Sequence, residues 1–194
     1  MGGSDPIWCR SSRSRMNRED GIDPKETTFM PVDETIKTLL AVRAFTDQPV
    51  SDDALHSILE AGRLTASAIN LQPWHFVVVR DRETLGTLAE AAKTGPSIAD
   101  SAFSVVVTVS SDSRFGLSDA SRAIQNMMLV AWEQGIGSNW IGFVGGLTAV
   151  NTLLAIPDDQ DVVCVLPFGY PAQATGKGKK RRKSMDEIVH WNRW

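Results

Sequence analysis

The chain has 194 residues, 42% of them hydrophobic and 22% charged, and its 20 basic and 23 acidic residues leave a net charge of −3. A length of this order lets a single core bury roughly 70% of the unfolded surface, while the near-even charge balance gives no footprint of a general nucleic-acid binder. No apolar run approaches membrane-spanning length, so neither nucleic acid nor a membrane is expected as a partner.

Residues 1–29 are rich in Arg, Ser, Asp and Gly, lack periodicity and carry the basic cluster Arg10, Arg13, Arg15 and Arg18. Without the apolar stretch of a secretory signal, they read as a disordered extension. Met30 is an alternative start, and the domain proper spans 30–194. Asp33 is placed to cap a short helix carrying Ile36, Leu39 and Leu40. Ser51 is placed to cap a second, with Leu55, Ile58, Leu59 and Gly62 at helical spacing. After a polar loop over 65–74, residues 75–79 read as a strand and 82–93 as a helix closed by Gly95. The run 103–109 is apolar at nearly every position, as in a strand buried on both faces. A longer helix over 119–134 lines up Ala123, Met127, Val130 and Ala131 and stops at Gly135. An extended piece over 139–141, a helix over 146–155 and a last strand over 162–168 complete the alternation.

The usual fingerprints of other chemistries are missing. No G-x-G-x-x-G follows a strand, no Walker-type loop occurs, and no G-x-S-x-G surrounds a serine. His56, His75 and His190 are far apart and lack an H-E-x-x-H or C-x-x-C partner. Cys9 and Cys164 are too few and too differently placed for a disulfide framework, which suits a reducing cytoplasm.

The informative segment is 65–76, TASAINLQPWHF. Asn70 and Gln72 bring amides that donate and accept together, Ser67 adds a hydroxyl, and Pro73 stiffens the turn into the following strand. A planar heterocycle such as a flavin presents acceptors and N–H donors around one edge, and amides fixed on a stiff loop satisfy both.

This run resembles the signature of the FMN-dependent nitroreductase family, in which a Pro-Ser-x-x-Asn stretch leads into Gln-Pro-Trp and an aromatic-led strand. Ser67, Asn70, Gln72, Pro73, Trp74 and Phe76 are in register, with Ala66 where proline is usual. The likeness continues in order through Arg43 and Phe45, the 120–129 helix, GIGSNWIG at 135–142, Phe168 to Pro171, and the basic run GKGKKRRK at 176–183 ahead of MDEIVHW.

The resemblance implies an α+β, three-layer α/β/α fold, with a central mixed and mainly antiparallel sheet flanked by helices, in a homodimer with FMN sites at the subunit interface. It implies an oxidoreductase that passes electrons from NAD(P)H through flavin N5 to small electron-poor acceptors such as nitroaromatics or quinones, with no dedicated catalytic side chain. The expected cofactor-binding residues are Arg43, Lys180 and Arg182 at the phosphate, with Lys177, Lys179, Arg181 and Lys183 as spare charge, and Ser67, Asn70 and Gln72 of the partner's loop at the ring. The backbone of Ile141, Gly142 and Phe143 is expected to face N5.

One departure stands out: Leu39, Leu40 and Ala41 occupy positions where the family carries Arg, Arg or His, and Ser. Phosphate prefers forked guanidinium donors, and leucines offer none. At helical spacing Leu39 and Arg43 would share a face, so the missing charge would belong to one site. Two alternatives stay open, a flavin-binding or flavin-remodelling protein without NAD(P)H turnover and a non-redox ligand-binding dimer.

Overall fold

Five helices and four strands follow one another in the computed structural model, which describes residues 30–142, 148–175 and 180–194. The helices are α1 (Val32–Thr38), α2 (Asp52–Arg63), α3 (Arg82–Ala91), α4 (Gly116–Glu133) and α5 (Thr148–Leu153). The strands are β1 (Trp74–Val79), β2 (Phe103–Ser110), β3 (Gly137–Ser138) and β4 (Gln160–Gly169). The Ser51 hydroxyl caps α2 by accepting from the Ala54 N–H at 3.2 Å. The Asp81 carboxylate caps α3 through the Thr84 N–H at 2.8 Å. Each satisfies a backbone donor that the first helical turn leaves free. Gly135, at φ +75°, makes the left-handed turn that ends α4.

Three expectations fail at the ends of helices. Asp33 does not cap α1: Pro31 holds that position, and Asp33 sits within the first turn, paired to Lys37 at 2.7 Å. The helix stops at Thr38, because Leu39 turns to φ −50°, ψ 122° and sends the chain off extended. Helix α4 starts at Gly116, ahead of the expected 119. The extended piece expected over 139–141 is a strand at Gly137–Ser138, with Ile141 making a separate bridge to Val165. Residues 146 and 147 of the expected 146–155 helix lie outside the described residues.

The sheet runs β1-β2-β4-β3 with every neighbour antiparallel, and a parallel bridge from Ala41 to Ser138 makes it mixed. Side chains alternate between its faces. Val105, Val107, Leu166 and Phe168 pack with Ile58, Ile124 and Met127 of α2 and α4. Val106 and Val165 pack on the other side with Leu85, Leu88 and Val150 of α3 and α5. Both faces are therefore covered, which is why 103–109 is apolar throughout, and the three layers are those expected. A bulge interrupts the alternation: Val107 faces Cys164 while Thr108 faces Val162, so the extra residue Val163 reaches the same core as Cys164. Among the described residues no helix is long and apolar enough to cross a membrane.

Candidate cofactor site

The amide loop is rigidly built although it is exposed. The Ser67 hydroxyl accepts from the Gln72 N–H at 2.9 Å, closing a turn around the 3-10 segment Ala68–Asn70. Within it Ile69, Asn70 and Gln72 have φ of +45°, +58° and +49°. A non-glycine residue in this region costs of order 1 to 3 kcal/mol and persists only where its surroundings over-determine it. Those surroundings are on α4. Asp119 Oδ2 accepts from the Ala68 N–H at 3.0 Å, and Asn126 Nδ2 donates to Thr65 Oγ1 at 2.7 Å. Asn70 and Gln72 are exposed, and the side-chain amide of Asn70 has no hydrogen-bond partner among the described residues. Its donors and acceptor are available to a ligand.

Arg43 belongs to a second group of residues. The chain from Ala41 to Thr46 is extended and stitched at both ends: the Val42 N–H donates to the Ser138 carbonyl at 2.9 Å and the Thr46 N–H to that of Tyr170 at 2.8 Å. The Ala172 N–H returns to the Ala44 carbonyl at 2.9 Å. Val42 and Phe45 are buried against Trp132, which leaves Arg43 between them projecting outward and exposed. Arg43 and Leu39 therefore share no helical face, and Arg43 is not on the first helix, contrary to expectation. Leu39 and Leu40 pack against the Val42, Phe45 and Trp132 cluster, which gives them a structural task where a charged side chain would be desolvated.

Lys180 joins this end of the molecule by donating to the Ile36 carbonyl at 2.5 Å. Partial burial of its ammonium, and then the nearby charge of Arg182, lower its pKa from the usual lysine value. Arg43, Lys180 and Arg182 form no ion pair among the described residues, in contrast to Lys37, Arg63, Arg80 and Arg122. Ile141 exchanges both backbone hydrogen bonds with Val165, at 3.0 and 2.8 Å. Gly142 follows with space for no more than a hydrogen, since a Cβ would meet the Val163 carbonyl at 3.0 Å. Phe143, Lys177 and Lys179 lie outside the described residues.

The two groups are not brought together within one chain. The loop is anchored at Asp119, whereas the Arg43 segment packs on Trp132 near the other end of α4. Thirteen residues of helix separate these anchors, a rise of about 20 Å. A groove of about 520 Å³ beside the loop is lined by Gln72, Trp74, Phe76, His56, Glu60 and Arg63, and takes in none of the three cations. Among the described residues no three His, Cys, Asp or Glu side chains are grouped to hold a metal ion. Arg122, three residues after Asp119 on α4, has the spacing of a surface ion pair. Arg122 does pair with Asp119, but the carboxylate is wholly buried and its second partner is the loop.

The model of the Nitroreductase family matches this chain over residues 40–110 and 95–170. The chain belongs to the nitroreductase family. A Methanothermobacter thermautotrophicus protein that bears the name NADH dehydrogenase/NAD(P)H nitroreductase is 32% identical over 173 residues, covering 85% of this chain and 88% of its own. Among solved structures, the NADPH:FMN oxidoreductase of Vibrio harveyi complexed with NAD+ is 27% identical with a TM-score of 0.74, over 84% of this chain and 77% of that one. An FMN-dependent nitroreductase of Clostridium difficile is 26% identical with a TM-score of 0.73, over 82% and 98%. The stretch of this nitroreductase-family chain matched by the family model includes Arg43, the amide loop, Ile141 and Gly142, while Lys180 and Arg182 lie beyond it.

Proposed function

We propose that this protein is an FMN-dependent oxidoreductase that carries electrons from NAD(P)H to small electron-poor acceptors such as nitroaromatics or quinones, as a cytoplasmic homodimer. The observation that carries this reading is the pairing, in a nitroreductase-family chain, of a rigid exposed loop whose Asn70 amide has no partner with a separate set of cations that form no ion pair, both among the described residues. The residues fit the cofactor. Burial first and then the charge of Arg182 lower the Lys180 pKa; a phosphate dianion beside the two would offset both costs of the charged form, and Arg43 adds a forked donor suited to phosphate oxygens. Asn70, Gln72 and Ser67 would supply amide and hydroxyl groups for the ring edge, and the Ile141 and Gly142 backbone would face it.

Bound FMN would provide the redox chemistry, accepting a hydride equivalent from the nicotinamide and yielding electrons to the acceptor. The chain's own residues bind and orient; none is required as a proton donor. With about 20 Å of α4 between the loop and the Arg43 segment, a two-fold dimer would set the cations of one protomer against the loop of its partner and make two equivalent sites. Spectrophotometric titration of flavin-free protein with FMN tests the reading. One flavin taken up per chain is expected, and no uptake would overturn it.

A further inference from the structure

We propose that Asp119 and Asn126 form a two-point clamp on the amide loop, and that Asp119 is a positioning residue for recognition of the flavin ring. The second half of this proposal rests on the reading that the loop faces a flavin. A wholly buried carboxylate is costly unless its oxygens are satisfied. Both Asp119 oxygens are engaged: Oδ1 accepts from the Arg122 guanidinium, and Oδ2 accepts from the Ala68 N–H at 3.0 Å. The Arg122 side chain is 53% exposed and closes the outer side, so the inward partner of this charge is the loop backbone. Asp119 also lies in the first turn of α4, where the helix dipole favours an anion.

Asn126 stands two turns further on and, at seven residues' spacing, on the same face of the helix. It donates to Thr65 Oγ1, and the Thr65 hydroxyl donates onward to the Ala61 carbonyl at 3.0 Å. The two contacts thus fix the chain at Thr65 and Ala68, immediately before the left-handed residues Ile69, Asn70 and Gln72. Between Ala68 and Gln72 the loop's own ties are short-range: the Asn70 N–H to the Ser67 carbonyl, the Leu71 N–H to the Ala68 carbonyl, the Gln72 N–H to Ser67 Oγ, and Gln72 Nε2 to the Asn70 carbonyl. Ile69 is 87% exposed and contributes little packing to hold its own backbone. The strained geometry that presents the Asn70 and Gln72 amides therefore depends on α4, and above all on the buried charge.

The test compares the parent with Asp119→Leu, which removes the acceptor, and Asp119→Asn, which keeps one. In flavin-free protein, hydrogen exchange at the Ala68 amide should rise roughly tenfold or more in Asp119→Leu relative to the amides of β2, and Asp119→Asn should restore most of the protection. Affinities for FMN and riboflavin should fall together in Asp119→Leu by roughly tenfold or more, because the loss lies at the ring rather than the phosphate. A general loss of stability would lower the melting temperature without singling out Ala68. Unchanged exchange at Ala68 would overturn the clamp, and faster exchange with undiminished flavin affinity would overturn the positioning role. If Asp119→Leu does not fold, Asn126→Ala carries the same comparison at the other contact. If the parent takes up no flavin, the proposed function fails and the positioning role with it, while the exchange measurement still decides the clamp.

Discussion

Lys180 donates to the Ile36 carbonyl across 144 residues of sequence, tying the basic C-terminal segment to the last turn of α1 beside the extended stretch that carries Arg43. Because Val42 and Phe45 anchor that stretch in the core on either side of Arg43, the guanidinium emerges from a fixed backbone. Removing a charge-assisted contact costs about 1.5 to 3 kcal/mol. Arg43→Ala and Arg182→Ala should each weaken FMN roughly 10- to 100-fold and leave riboflavin, which lacks the phosphate, unaffected. Titrating both flavins into each variant checks this, and FMN affinity equal to the parent's in both would remove the cation assignment.

The distance along α4 between the two groups makes a second prediction about who shares a site with whom. When Arg43→Ala and Asn70→Ala chains are co-expressed, a mixed dimer should contain one site with both defects and one with neither. Each mixed dimer should then bind one FMN with parental affinity, although dimers of either variant alone bind weakly. If cations and loop served one site in a single chain, no mixed dimer would recover a full-affinity site.

Gly137 links stability to the segment that carries Arg43. A Cβ there would lie 2.5 to 2.9 Å from the Val42 side chain, including 2.6 Å from its own Cβ, a contact that no rotamer change relieves. Gly137→Ala should cost about 1 to 3 kcal/mol by overpacking and, by displacing Val42, should weaken FMN more than riboflavin. Thermal melts with paired titrations measure both effects, and a parental melting temperature would show that the segment yields more readily than its backbone ties suggest.

The cap of α3 sets an acid limb on stability. The Thr84 hydroxyl and then the Thr84 N–H bond the Asp81 carboxylate and lower its pKa below the ordinary value. A carboxylate depressed in the folded state contributes stability above its unfolded pKa, near 4, and loses it as pH falls through the lower folded value. Asp81→Ala should therefore lower the melting temperature at pH 6 to 8 (~2 units or more above that pKa), and the gap to the parent should close on acidification below about pH 4. A gap independent of pH would mean that the charged form is not what caps the helix.

Local chemistry was readable in the sequence wherever one residue settles it. Ser51 and Gly135 mark helix ends because a capping hydroxyl and a left-handed turn are properties of those residues. The apolar run 103–109 announces a strand covered on both faces. Leu39 and Leu40 continue a helical spacing, yet the chain there turns extended to pack on Trp132, a partner far along the sequence. Asp119 three residues before Arg122 has the spacing of a solvated pair. Only the fold, by bringing Ala68 from 51 residues away, turns that carboxylate into a buried anchor. The loop's amides were legible for the same reason that its support was not: the first is composition, the second tertiary contact.

The most direct test of the whole account is the visible spectrum of FMN-loaded protein on anaerobic addition of NAD(P)H. The flavin band should bleach, and a nitroaromatic or quinone added afterwards should restore it, with steady-state lines of the parallel, ping-pong form because donor and acceptor take turns over one ring. A bound flavin that neither NADH nor NADPH can bleach would contradict the assignment as an oxidoreductase.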